Sequence, residues 1–311
     1  MKLLITGGGG PAAEALWDLW RNKFDLYFAD QDINRIHPKV PRDKCLEIPN
    51  ANSAEFLSAF ERMVDLVGFE CIVSQVDEEL LKIKDLELTH RNFTVISPSA
   101  DFIRLCLDKA KLGKSLTKAG INDPRTQILT PDSIYFGMPL LIKPQFGRGS
   151  RDIFVAKSNP EFIAIKKYLL TQNQQFVFQE LILGQEYTVQ MLANRKGKLR
   201  AIVPLLVNEK RGSTTSCEVS LNQIVINECQ KVHACFKPAG TYNIQLLYSP
   251  IEEKAHIIEI NPRVSTTMCL SVQLGFDPVD IFLNESTDFE IELPTQILKL
   301  NRYWTNEFLD S

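Results

Sequence analysis

The sequence contains no apolar run near the roughly 18 residues that a bilayer span requires, and Met1 leads straight into the strand-like KLLIT and a glycine turn. Neither a membrane segment nor a signal peptide is expected. No C-x-x-C pair occurs either. The seven cysteines, Cys45, Cys71, Cys106, Cys217, Cys229, Cys235 and Cys269, are odd in number and scattered. That is the usage of reduced thiols, so the expected location is cytoplasmic. No charge sign dominates: 35 Lys and Arg against 38 Asp and Glu leave a net charge of -3, mixed along the chain. The basic stripe that a nucleic-acid backbone or an anionic membrane needs is missing, which removes both as expected partners. Histidine is scarce, and His37, His90, His233 and His256 form no triad and no metal spacing. No G-K-[ST] follows a glycine loop, so a Walker A motif is absent.

With 311 residues, 44% hydrophobic and 23% charged, the chain can bury a sizeable core divided over two or three units. Residues 2–6 read as a buried strand, Gly7 to Gly10 as a turn, and Pro11 opens a helical pattern through Ala15, Leu16, Leu19 and Trp20. Strands at 25–29, 71–76 and 93–96 and a helix at 54–67 complete an alternation that predicts a parallel sheet covered on both faces. Ser97-Pro98 marks a boundary, followed by one helical pattern from Ala100 to Ala119. Beyond Pro124 the texture is α+β. Strands are expected at 139–144, 152–156, 176–180 and 186–192, helices at 160–170 and 221–236, and a hairpin pairs 241–248 with 255–261 across Glu252, Glu253 and Lys254.

Three constellations carry chemistry. Gly7-Gly8-Gly9-Gly10-Pro11-Ala12 with Asp30 fits G-x-G-x-x-A followed by an acid, which alone suggests a dinucleotide, although any parallel α/β turn needs such glycines. Lys143 ends a strand and precedes Gly147 and Gly149, so it could meet a phosphate; a plain hairpin turn is the other reading. Glu259 and Asn261, two apart on a strand, share a face while Ile260 turns to the core. With Gln245 nearby they offer hard oxygen ligands suited to Mg2+ shared with phosphates, and Arg263 can fork onto a phosphate or carboxylate. A solvated strand face is the bland alternative.

Taken in order, these residues resemble the ATP-grasp family, in particular its carbamoyl-phosphate-synthase-like branch. The series runs from the glycine turn through Asp108-Lys109, Gly120-Ile121, Pro124-Arg125-Thr126, Lys143-Pro144 with Gly147 and Gly149, Gln179-Glu180, Gly184 with Glu186-Tyr187, and Asn243 with Gln245. It ends at Glu259-Ile260-Asn261-Pro262-Arg263. The resemblance implies a Rossmann-like pre-ATP-grasp domain at 1–97, an N-terminal ATP-grasp subdomain at 98–180 and a C-terminal one at 181–311. It implies ATP and Mg2+ (or Mn2+) as cofactors. Lys109 and Lys143 would hold phosphates beneath a lid at Gly147, Gly149 and Ser150. Glu180 and the backbone of Leu181 and Ile182 would meet the adenine, and Glu186 the ribose. Gln245, Glu259 and Asn261 would ligate metal, and Arg263 would steady the transferred phosphoryl group.

The implied activity is ATP-dependent ligation of a small carboxylate to an amine (or thiol) through an acyl phosphate. A nucleotide-binding regulatory protein without ligation is the alternative, and a dinucleotide oxidoreductase leaves the second half unexplained. A carbamoyl phosphate synthase large chain carries two such units, and this chain has a single copy, so that activity is not expected. Lys210 and Arg211, in a segment read as a loop from Asn208 to Cys217, could pair with the acceptor or simply belong to a solvated loop; Cys217 there could be reactive, although a lone cysteine is more often structural. Asp77-Glu78-Glu79 follow the third strand and either contact the amine or open a helix. The Asn301-Arg302-Tyr303-Trp304 cluster is expected to pack onto the core. The sequence leaves the oligomeric state open, with a homodimer as one possible assembly on base rates.

Overall fold

The computed structural model describes residues 1–89, 92–147, 152–286 and 289–303. The first sheet is built from β1 (Lys2–Thr6), β2 (Asp25–Asp30), β3 (Cys45–Glu47), β4 (Cys71–Ser74) and β5 (Thr94–Val95), with helices α1 (Ala13–Trp20), α2 (Phe56–Val67) and α3 (Asp77–Thr89) between them. Its order is β3-β2-β1-β4-β5 and every pairing is parallel. The sequence pattern yielded four of these strands; β3 was missed because three residues at a sheet edge carry no periodicity. In α2 the buried Phe56, Phe60 and Val64 recur every fourth residue, and Gly68, at φ 73°, ends the helix in the left-handed conformation.

Next come α4 (Ala100–Leu107) and α5 (Lys109–Lys118). These correct the single helix expected from Ala100 to Ala119. Asp108 is extended (φ -102°, ψ 98°), and its carboxylate accepts the N–H groups of Ala110 and Lys111, so a side-chain cap replaces the continuing helical bonds. A second sheet, antiparallel and ordered β6-β9-β7-β8, comprises β6 (Thr126–Ile128), β7 (Leu140–Pro144), β8 (Phe154–Ala156) and β9 (Phe176–Glu180), with α6 (Asn159–Leu169) packed against it through Phe162 and Leu169.

The third sheet is antiparallel with order β14-β13-β10-β11-β12-β15. It contains β10 (Gln185–Ala193), β11 (Leu199–Arg211), β12 (Ser213–Val219), β13 (Thr241–Ser249), β14 (Lys254–Asn261) and β15 (Lys299–Asn301), with helices α7 (Gln223–Phe236), α8 (Met268–Gln273) and α9 (Pro278–Leu283). One face packs on α4, α5 and α7 through Val189, Met191, Ile244 and Leu246. The first and third sheets share a core in which Leu3, Ile5 and Trp20 meet Val203, Val264, Met268 and Val279. Asp277 fastens the two ends of the chain, accepting from Trp20 Nε1 at 2.9 Å and Lys23 Nζ at 2.8 Å. Among the described residues no helix is long and apolar enough to cross a membrane.

One further expectation is corrected, and one of the two readings of Cys217 is decided. The segment 208–217 is not a loop: β11 continues to Arg211, Gly212 turns at φ 73°, and β12 returns antiparallel. Threonine-rich β12 favours a strand, and glycine supplies the tight turn. Cys217 therefore lies inside the sheet, fully buried, and burial pushes its thiol up to about 12, far from a reactive thiolate.

Candidate active site

The geometry of the site begins with an irregularity in β14. Gln245 pairs with Glu259, whereas the next residue, Leu246, pairs with Ile257, so Ile258 is the extra residue of a β-bulge. Ala255 and Ile257 join the core beneath the sheet, and Ile260 joins the same core. The bulge shifts the alternation by one, turning Glu259 and Asn261 to the opposite face beside Gln245 and Asn243. As the spacing predicted, Glu259 and Asn261 share that face while Ile260 is buried.

Two lysines reach this edge from different elements. Lys109, the first residue of α5, lies 3.9 Å from Glu259 Oε1 and donates to Gly147 O at 2.7 Å. The capping carboxylate of Asp108 orients that helix start. Burial would push the Asp108 carboxyl up, but hydrogen bonds from Gln145 and Lys111 outweigh it and hold it below its usual value. Lys143, near the end of β7, is 8% exposed and donates to the bulge carbonyl of Ile258 at 3.4 Å. Among the described residues no carboxylate lies within ion-pair distance of it. Burial brings its ammonium down to about 8; Glu259 opposes the shift and Lys109 adds to it. An ammonium so placed lacks a full counter-charge, which a phosphate supplies.

The oxygen set fits a hard cation. Gln245, Glu259 and Asn261 present oxygens on one face, and Asn243 stands opposite Asn261. Asn243 commits its amide nitrogen to Thr188 Oγ1 at 2.7 Å and Val189 O at 3.3 Å. Its buried Oδ1 has no hydrogen-bond partner, a cost that a cation or its water would offset. Among the described residues no three His, Cys, Asp or Glu side chains gather. One carboxylate with amide oxygens suits Mg2+, which takes its remaining ligands from water and phosphate.

Next to this set opens a cavity of about 540 Å³ between the first and third sheets. Its walls include Gly9, Asp30 and Arg35 from the first unit and Lys210, Glu259 and Arg263 from the third sheet. Lys210 bonds Glu186 Oε1 at 2.6 Å, so the expected acceptor and ribose residues are paired with each other. Arg211 is turned away: its side chain is 67% exposed and holds Glu209 at 2.8 Å. Asp77 opens α3 as one of its two readings required, and its carboxylate meets Arg263 Nε at 2.7 Å. At the hinge after β9, Glu180 N donates to Arg125 O and Leu181 N to Pro139 O. That leaves the Leu181 carbonyl, not its N–H, for a ligand; Ile182 follows, half-buried. Gly149, Ser150 and Trp304 lie outside the described residues.

The glycine turn is closed to a pyrophosphate. Gly8 N donates to Ala29 O, Gly10 N to Gly7 O, and Gly9 N to Asp30 Oδ2 at 2.8 Å. A Cβ on Gly9 would stand 2.7 Å from Arg35 Cβ and 3.0 Å from that carboxylate oxygen. The glycine is required because Asp30 folds beneath the turn, so neither the amides nor the acid remain for a dinucleotide.

Residues 106–267 match the family model described as "ATP-grasp domain". The chain belongs to the ATP-grasp family. Among its curated relatives, the carbamoyl phosphate synthase large chain of Pyrococcus furiosus is 26% identical over 207 residues, covering 60% of this chain. The chain spans only 20% of that protein's length. The carbamoyl-phosphate synthase of Methanobrevibacter smithii is 25% identical over 266 residues, covering 80% of this chain and 71% of the relative. Among solved structures, L-amino acid ligase from Bacillus licheniformis superimposes with a TM-score of 0.66 at 14% identity, covering 86% of this chain and 69% of the other. Biotin carboxylase from Campylobacter jejuni reaches 0.68 at 14% identity, covering 92% and 72%. These likenesses show the fold: a Rossmann-like unit followed by the two-part ATP-grasp architecture.

Sequence reasoning named two contributors to the site without their contacts and missed the role of a third. Asp108 was read as part of the Asp108-Lys109 motif, but its capping of α5 was hidden inside a continuous helical pattern. Asp77 carried no signal of its partner 186 residues away. Arg302 was grouped with a packing cluster, yet it bonds Pro11 O, Thr214 O and Thr266 O, tying together three segments of the cavity wall.

Proposed function

We propose that this chain is an ATP- and Mg2+-dependent ligase that activates a carboxylate as an acyl phosphate for attack by an amine (or thiol). One observation carries the reading: Lys109, Lys143 and the oxygen face of Gln245, Glu259 and Asn261 converge where the polar cavity begins. Phosphoryl transfer asks mainly for positioning and charge neutralisation, and these residues offer both. Bound Mg2+ would neutralise charge on the phosphates. Lys109 and Lys143 hold the phosphates, with Gly147 beside Lys109. Glu180, Leu181 and Ile182 take the adenine edge and Glu186 the ribose.

Arg263 binds the transferred phosphoryl group as the substrate carboxylate attacks it and ADP leaves. The amine then attacks the acyl carbon, and phosphate departs. Lys210 steers the acceptor; the exposed Arg211 joins only if the hairpin moves. Units at 1–97, 98–180 and 181–311 form the catalytic body. Among the described residues the cavity lining contains no Leu, Ile, Met, Phe, Tyr or Trp, which favours small polar carboxylates and amines over fatty or aromatic ones. Unpaired cysteines, all but Cys235 buried, favour a cytoplasmic location.

The test is Mg2+-dependent ADP release by the purified protein, screened against pooled amino acids, small carboxylic acids and amines. Stimulation by one pool, lost in Glu259→Ala, is expected. ATP binding without stimulation by any pool would favour a nucleotide-binding regulator, and no ATP binding would overturn the reading.

A further inference from the structure

Arg263 leaves the end of β14 and meets a carboxylate from the other end of the chain. Its Nε donates to Asp77 Oδ1 at 2.7 Å and its Nη2 reaches Oδ2 at 3.5 Å. Both side chains are shielded, 14% and 10% exposed. Asp77 opens α3, just beyond the C-terminal end of β4. The guanidinium plane carries five N–H groups in fixed directions. Asp77 takes the side edge formed by Nε and Nη2. The other contacts, Nη2 to Asn261 Oδ1 and Nη1 to Val264 O, are both 3.4 Å, long enough to be exchanged for a stronger acceptor.

From this geometry we propose that Asp77 is a positioning residue for phosphoryl transfer: the first unit fixes the Arg263 guanidinium so that its outer edge faces the cavity. This rests on the ligase reading of Arg263. A carboxylate that grips the side edge sets the direction of the cation and leaves the outer edge for an anion. An arginine on a free stem would have to be ordered in each turnover. Holding the units together does not require Asp77. That is accomplished by Asp277 with Trp20 and Lys23, by Arg302 with Pro11, and by the shared apolar core. Motion of α3 would move Arg263, which couples the first sheet to the site.

The test compares Asp77→Ala, Asp77→Asn, Asp77→Glu and Arg263→Ala with the wild type. Thermal unfolding is followed with MgADP alone and with MgADP plus fluoroaluminate, which mimics the transferring phosphoryl group. In Asp77→Ala the MgADP shift is expected to match wild type, while the additional fluoroaluminate shift is lost, as in Arg263→Ala. With the stimulating pool, kcat falls about 30-fold or more, the KM for MgATP changes less than about threefold, and Asp77→Glu recovers activity that Asp77→Asn does not. Full kcat and a full fluoroaluminate shift in Asp77→Ala would overturn the inference alone. Loss of melting temperature together with MgADP binding would make the pair a structural latch and also overturn it. A wild type that binds no MgADP overturns the ligase reading and the inference with it.

Discussion

Ile257 and Glu259 are two residues apart on one strand and face opposite sides of the sheet. In a regular strand they would share a face, and Glu259 would be buried with Ile257 in the core beneath. The bulge at Ile258 reverses the alternation and also presents the carbonyl that Lys143 meets. One backbone defect thus turns the acid outward and supplies an acceptor for the cation beside it.

The first prediction concerns that face. Glu259→Gln and Asn261→Ala should each lower Mg2+-dependent ADP release by about 10²-fold or more. The melting temperature of Glu259→Gln should stay close to wild type, because Glu259 is partly exposed and anchors no core. Full turnover in both variants would refute the metal assignment.

Lys143 yields a pH dependence. Its folded pKa, about 8, lies below the ordinary 10.5, so between those values the unfolded chain binds more protons than the folded one. Stability is therefore penalised below about pH 8 and rises with pH through that window. Lys143→Met should raise the melting temperature near neutral pH and remove the rise. MgADP binding should take up a proton above about pH 8, read by calorimetry in buffers of different ionisation enthalpy.

Gly184 allows the chain to pass β13 closely. A Cβ there would lie 2.4 Å from Tyr248 O and 2.8 Å from Tyr248 C, and both are backbone atoms that cannot step aside. Gly184→Ala should cost about 1–3 kcal/mol in a denaturant titration and disturb the strand that carries Glu186.

Thiol reactivity distinguishes Cys235 from the others. It is exposed, whereas the remaining six cysteines are buried; burial pushes Cys217 up to about 12 and Cys71 up to about 11. Labelling with a disulfide reagent should give one fast thiol, abolished by Cys235→Ser, and the rest only on unfolding.

Because the glycine-turn amides and Asp30 are satisfied by one another, NAD+ should produce no melting shift at concentrations where MgADP does. A shift of equal size would restore the dinucleotide reading.

The sequence by itself determined the alternation of strands and helices in the first unit, the hairpin of β13 and β14, and the residue types that offer hard oxygens and ammoniums. Those are properties of local periodicity and of side-chain chemistry, which need no partner to be read. Only the tertiary structure decided which way they face and what they meet. The bulge that turns Glu259 outward depends on pairing with β13. The break at Asp108 depends on a cap and on Gln145 from another segment. The side-on grip of Asp77 on Arg263 needs two units docked through a common core. Lys210 and Arg211, adjacent in sequence, separate because a strand sends neighbours to opposite faces and the hairpin that holds them is set by pairing. Contacts of this kind are fixed by packing across many residues, and a single chain read in order carries no signal for them.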